Sequence, residues 1–164
     1  MATMSAYGLT VDAPEGWDGS IYKRQEHAFS RQNRSVEQLD LHAVEFQPIV
    51  HLSSRSLPVV RGDMGGGVVG DLGPDDVFVV LFEYGGASTD QALFTRHQGV
   101  PWPLALHDFS AAALRTQLPG QLGTQRFFSI NHRSFMLYVV LGSEAARRRL
   151  LPGVNAALAA IRID

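Results

Sequence analysis

The sequence predicts an α+β fold: one domain over residues 1–164, an antiparallel β-sheet with helices packed on its faces. Three observations lead there. Strand-like segments follow one another without regular helical crossovers, which favours antiparallel pairing. The run Val77-Phe78-Val79-Val80-Leu81-Phe82-Glu83-Tyr84 is almost continuously apolar, as suits a central strand covered on both faces. Near the C-terminus Leu150, Val154, Leu158 and Ile161 recur at helical spacing, forming a stripe that a sheet face would bury.

Taken in order, the first element is a strand over 7–12, where Tyr7, Leu9 and Val11 alternate with smaller or polar residues. Ala13-Pro14-Glu15-Gly16 breaks it, because proline removes a donor and glycine permits a turn. Residues 17–24, with Trp17, Ile21 and Tyr22 for bulk, read as the returning arm of an opening hairpin. Residues 25–35 are polar and irregular. Residues 36–49 put Leu39, Leu41, Ala43 and Glu45 on one strand face, with Pro48 at its end or on an edge. A short strand over 57–60 is expected in the serine-rich stretch that follows.

Glycines between 62 and 70 suggest a mobile loop with a short strand, and Gly73-Pro74 marks the clearest turn. Gly85-Gly86 ends the central strand. A long connection over 87–109 has Pro101-Trp102-Pro103 at its middle. Ser110 is placed to cap a helix over 111–117, which Pro119-Gly120 would stop. Strands over 124–130 and 135–141 flank Asn131-His132-Arg133-Ser134, a length natural for a hairpin. In the terminal helix Pro152 marks a kink or a first turn. Residues 162–164 then return toward the sheet. With this helix and the long connection on opposite faces, the result would be an α/β/α sandwich.

Composition narrows the function classes. Hydrophobic residues at 45% and charged ones at 18% are globular proportions. A formal charge of -2 offers no basic surplus for a nucleic-acid partner. With no cysteine, disulfides, thiolate metal sites and cysteine nucleophiles are excluded. Residues 1–6 show no signal-peptide pattern, and no segment approaches the roughly 20 apolar residues of a membrane span. A cytoplasmic location is the expectation, which a trimmed leader or anchor would defeat.

The chemistry-bearing residues are scattered. His27, His42, His51, His97, His107 and His132 show no metal-ligand spacing, although His42 and His51 could face each other across a hairpin with Glu45 between them. The glycine-rich stretch lacks the lysine and hydroxyl of a phosphate loop, and Asp63, Asp71, Asp75 and Asp76 would repel phosphate. Arg61-Gly62-Asp63 is a chance tripeptide, and Arg147-Arg148-Arg149 reads as a solvated helix surface or a contact for an acidic partner. His107, Asp108 and Ser110 are neighbours in sequence, which does not make a triad. Glu83, ending the apolar strand, is either exposed at the sheet edge or buried with a partner such as an arginine. Trp102, held between prolines, serves as an anchor for a partner or for the protein's own core. No metal, cofactor or catalytic set is expected.

The segment Tyr7-Gly8-Leu9-Thr10-Val11-Asp12-Ala13-Pro14-Glu15-Gly16-Trp17 resembles the start of PsbP-like domains: an aliphatic strand, a proline turn, then a tryptophan opening the next strand. The close, a strong strand over 135–141 and a helix ending near Leu158-Ala159-Ala160-Ile161, is similar to the same group. Together the two ends cover about a quarter of the chain. The resemblance implies an antiparallel sheet between helical layers and an accessory or binding role in larger assemblies, as in photosystem subunits and a small-GTPase binder. No functional residue of that family maps onto this chain. In its Ala, Gly, Arg and Leu content the whole chain resembles small bacterial proteins of actinobacterial type.

The leading expectation is therefore a non-catalytic binding or accessory protein, with a protein partner or a second copy of itself. The rival is a small-molecule-binding protein or enzyme with a pocket between the sheet and the 85–109 connection. That pocket would use Trp102, Tyr84 and Glu83, with His97 or His107.

Overall fold

Two antiparallel sheets divide the strands of the computed structural model, which describes residues 2–23 and 47–164. In chain order the elements are β1 (Ala2–Ala6), β2 (Leu9–Ala13), β3 (Asp18–Lys23), β4 (Pro48–Ser53), β5 (Val77–Tyr84), α1 (Ala92–Thr95), β6 (Leu122–Ile130), β7 (Arg133–Leu141), α2 (Arg147–Ala159) and β8 (Ile161–Ile163). The larger sheet has the order β3-β4-β5-β7-β6 and the smaller one β1-β2-β8. Every strand pair in both is antiparallel. The fold is α+β.

β5 is the central strand, paired with β4 on one side and β7 on the other. Residues 77–81 are at most 1% exposed, so its unbroken apolar run reflects cover on both faces. On one face Val79, Leu81, Leu137 and Val139 pack beneath Val154 and Leu158 of α2 and beneath Leu9 and Val11 of the small sheet. The opposite face carries Phe78, Val80, Met136 and Tyr138 under Val68, Val69 and Leu114. Val68 and Val69 belong to a 3₁₀ turn over Gly66–Asp71, which replaces the short strand expected there.

The 87–109 connection does not keep to one face. Phe94 joins the rings of Tyr84 and Phe127, while Leu104 and Phe109 join the core on the α2 side. Its far end is pinned by Asn155 of α2, whose side chain donates to the Leu104 carbonyl and accepts from the Leu104 amide at 2.9 and 2.8 Å.

Several local expectations are corrected. The opening hairpin lies between β1 and β2, with Tyr7 in its turn at φ 56° and half exposed. The Ala13-to-Gly16 turn instead carries the chain from one sheet to the other, because β3 pairs with β4. Pro48 begins a fully buried strand. Residues 57–60 form no strand; Val59 and Val60 stand in solvent. Ser110 makes no side-chain cap, and the helix expected after it is one 3₁₀ turn, Ala111–Ala113. There the backbone of Ser110 pairs with Gly123 and covers part of the β6 edge. The β6–β7 turn has two residues, Asn131 and His132. The strand placed over 36–49 lies outside the described residues up to position 46, and Pro48 and Ile49 belong to β4.

Arg133, the first residue of β7, joins the sheets. Its Nε and Nη2 donate to the two carboxylate oxygens of Glu83 at 2.8 and 2.7 Å. Nη2 also donates to the Tyr7 carbonyl at 2.9 Å, and Nη1 to the carbonyls of Gly8 and Asp164 at 2.9 and 3.2 Å. Every N–H of the guanidinium is therefore engaged. Within the small sheet the Asp12 carboxylate accepts from Thr3 of β1 and Arg162 of β8 at 2.6 and 2.8 Å. These partners, Thr3 first, hold it below the usual carboxylate range.

Lysine at position 133 would keep the charge but not the fork. Arg133→Lys is expected to destabilise the protein by about 3 kcal/mol in urea titrations, since it leaves Glu83 buried without its bidentate partner. A loss below about 0.5 kcal/mol, the size of an ordinary surface change, would show that the joint is dispensable.

Candidate functional site

The five residues expected to form a pocket do not converge. Glu83 and Tyr84 are consecutive in β5 and so point to opposite faces. Glu83 is the buried partner of Arg133; Tyr84 sits among Phe82, Phe94 and Phe127, with ring centroids 5.1, 5.0 and 6.5 Å away. Trp102 packs edge-on against Phe128 at 5.8 Å and clamps the connection onto the α2-side core. His97 is exposed and contributes its backbone carbonyl, which accepts from the Ser129 amide at 2.9 Å. His107 is largely exposed, with Nε2 3.8 Å from Asp108. Burial would raise the pKa of Asp108, but the Ala105 amide and the Arg126 guanidinium outweigh it and hold the carboxyl low.

A second cluster surrounds His51 of β4, which has no exposed surface. Its Nδ1 accepts from Arg61 Nε at 2.8 Å, and its Nε2 lies 2.9 Å from the Asp63 carbonyl, to which it donates. That pairing fixes the neutral Nε2–H tautomer. Tyr22 and Phe78 pack edge-on to the ring at 5.2 and 5.1 Å. Burial pushes its pKa down to about 4, helped by Arg61 and opposed by the Asp63 carbonyl. Arg61 also donates to the Pro58 carbonyl at 2.7 Å and to the Ser20 hydroxyl. Tyr22 donates to the Gly62 carbonyl at 3.0 Å. The loop over 58–63 is thus held from beneath while Val59 and Val60 are 95% and 90% exposed. Arg61-Gly62-Asp63 is no adhesive tripeptide in this fold, because its guanidinium is turned inward. His42 and Glu45, considered with His51 as ligands, lie outside the described residues.

The third feature is an open cleft of about 470 Å³ at the turn end of the β6–β7 hairpin. Thr89, Asp90, Thr95 and Gln98 line it from the connection; Ser129, Ile130, Asn131 and His132 line it from the hairpin. Phe94 anchors α1 in the aromatic cluster. Farther along, the connection is hydrogen-bonded to β6 through Gly99 and Ser129 at 2.7 Å. The cleft opens between these anchorages. Sequence reasoning placed a pocket between sheet and connection but chose none of these side chains. The legible signal was the Asn131-His132 turn: both residues have positive φ, 52° and 61°, where a side chain other than Asn or Gly is disfavoured.

Among the described residues no group of three or more His, Asp or Glu side chains is placed to hold a metal ion. No helix among them is long and apolar enough to cross a membrane. No family model, curated protein or solved structure matches the chain.

The His51 environment gives a pH dependence of known sign. Above pH 6.5 the imidazole is neutral in both states and costs nothing. As pH falls from 6.5 toward 4 the unfolded chain takes up a proton that the folded one refuses, so stability is lost in that window. The expected loss is on the order of 3 kcal/mol, from the shift of the pKa. Urea midpoints measured at intervals across the window should fall more steeply for the wild type than for His51→Gln; parallel curves would remove His51 as the source.

Proposed function

We propose that this is a non-catalytic binding or accessory protein that recognises another protein through its 58–63 loop. The observation that carries the reading is the paired exposure of Val59 and Val60 at 95% and 90%. Two adjacent β-branched side chains held in water gain nothing in the isolated chain. Each recovers roughly 1.5–3 kcal/mol when fully buried. The loop that presents them is held by Arg61, His51 and Tyr22, so docking costs little ordering entropy. Pro58 favours an extended approach, which suits a shallow apolar pocket on the partner. Both faces of the large sheet are packed with side chains, which directs recognition to the surface.

The PsbP-like character of the chain's two ends supports the same accessory role. On this reading the protein works in a bacterial cytoplasm, where its partner belongs to a larger assembly.

A photo-crosslinking residue at position 59 is expected to capture one defined protein in the native host, and the same residue at exposed Thr116 is not. The double change Val59→Ser and Val60→Ser should abolish a complex rebuilt from the purified partner while shifting stability by no more than about 0.5 kcal/mol. Equal capture from both positions, or a complex indifferent to the double change, would overturn the reading.

A further inference from the structure

The open cleft lies at the β6–β7 end of the large sheet, whereas the 58–63 loop lies against β3 and β4 at its other edge. The two are independent. We propose that the cleft binds a neutral, hydroxyl-rich small molecule of mono- to disaccharide size.

The chemistry of the walls carries this. Thr89, Thr95 and Ser129 bring hydroxyls, which donate and accept, and Gln98 brings an amide able to do both at once, while the Asn131 amide donates to the Ile163 carbonyl at 3.0 Å. Asp90 supplies one carboxylate, able to accept from two neighbouring hydroxyls. Ile130 enters the lining through its backbone edge only, its side chain being packed into the α2-side core. No lysine or arginine is among the lining residues, so nothing there favours a phosphate or a carboxylate ligand. The volume, about 470 Å³, falls within the several hundred Å³ usual for small-molecule sites.

Two further observations point to the same wall. His132, a lining residue, holds the left-handed region at φ 61°, where glycine would relieve the steric cost. Thr89 Oγ1 reaches the carbonyl of this residue at 3.5 Å, tying the connection to the turn. Directly opposite Ser129 on the ladder stands Ser134, whose buried hydroxyl finds no hydrogen-bond partner among the described residues.

Amide chemical shifts followed during titration with maltose and with N-acetylglucosamine test the site, with spermidine and inorganic phosphate as charged controls. A saturable response confined to residues 89–99 and 129–132, given by at least one sugar and by neither control, is expected. Asp90→Ala combined with Gln98→Ala, both exposed positions, should weaken that sugar at least tenfold while leaving the melting temperature in place. The proposal falls if neither sugar gives a saturable response at these residues, or if spermidine or phosphate does so instead. Sugar binding unchanged by the double substitution overturns it equally.

Discussion

The guanidinium of Arg133 is the joint on which the two-sheet arrangement depends. Hydrogen bonds to Glu83 hold it to the large sheet, and those to the carbonyls of Tyr7, Gly8 and Asp164 hold the turn of one hairpin and the residue that follows β8. A carboxylate at the end of an apolar strand would be costly if unpaired. Here it orients a planar cation that reaches backbone groups no aliphatic residue could satisfy. The fork and the packing of Leu9 and Val11 against the core together place the small sheet over the α2 side of β5.

Much of this architecture could be read from the chain, and the failures share a cause. β5 and β7 carry continuous apolar runs and α2 a helical stripe, so burial and sequence pattern agree. The opening was misread because Tyr7 continues the alternation of Leu9 and Val11 yet sits in a turn, and because the small residues of β1 carry almost no signal. β4 was hidden by its own composition: Pro48, His51 and Ser53 look like loop residues, but each is buried and the strand is paired on both sides. For Glu83 the sequence leaves two readings open, exposed at the sheet edge or buried with a partner such as an arginine, and the structure shows the second. Which arginine depended on a register that pairs Glu83 with Phe135, two residues along from Arg133 on the same face.

The candidate sites were less legible, for a physical reason. A cleft is made by the approach of segments distant in sequence, here the 89–99 stretch and a turn thirty or more residues later. Nothing in the spacing of Thr, Gln, Asn and Ser announces that they will meet. The Val59-Val60 pair misled in the opposite direction, since β-branched residues normally signal a buried strand. What ejects them is the neighbouring arginine, drawn inward by His51 and Ser20.

The small sheet also has a consequence for how the chain acquires its shape. β2 lies between β1, made from the first residues, and β8, made from residues 161–163. Contacts spanning such a separation are late and slow to form, because so much chain must first be brought together. During synthesis one edge of β2, together with the apolar underside formed by Leu9 and Val11, stays open until residues 161–163 have left the ribosome. Until β8 is made, β2 therefore carries a sticky flank, and a chaperone that shields residues 9–13 would serve the nascent chain over that interval.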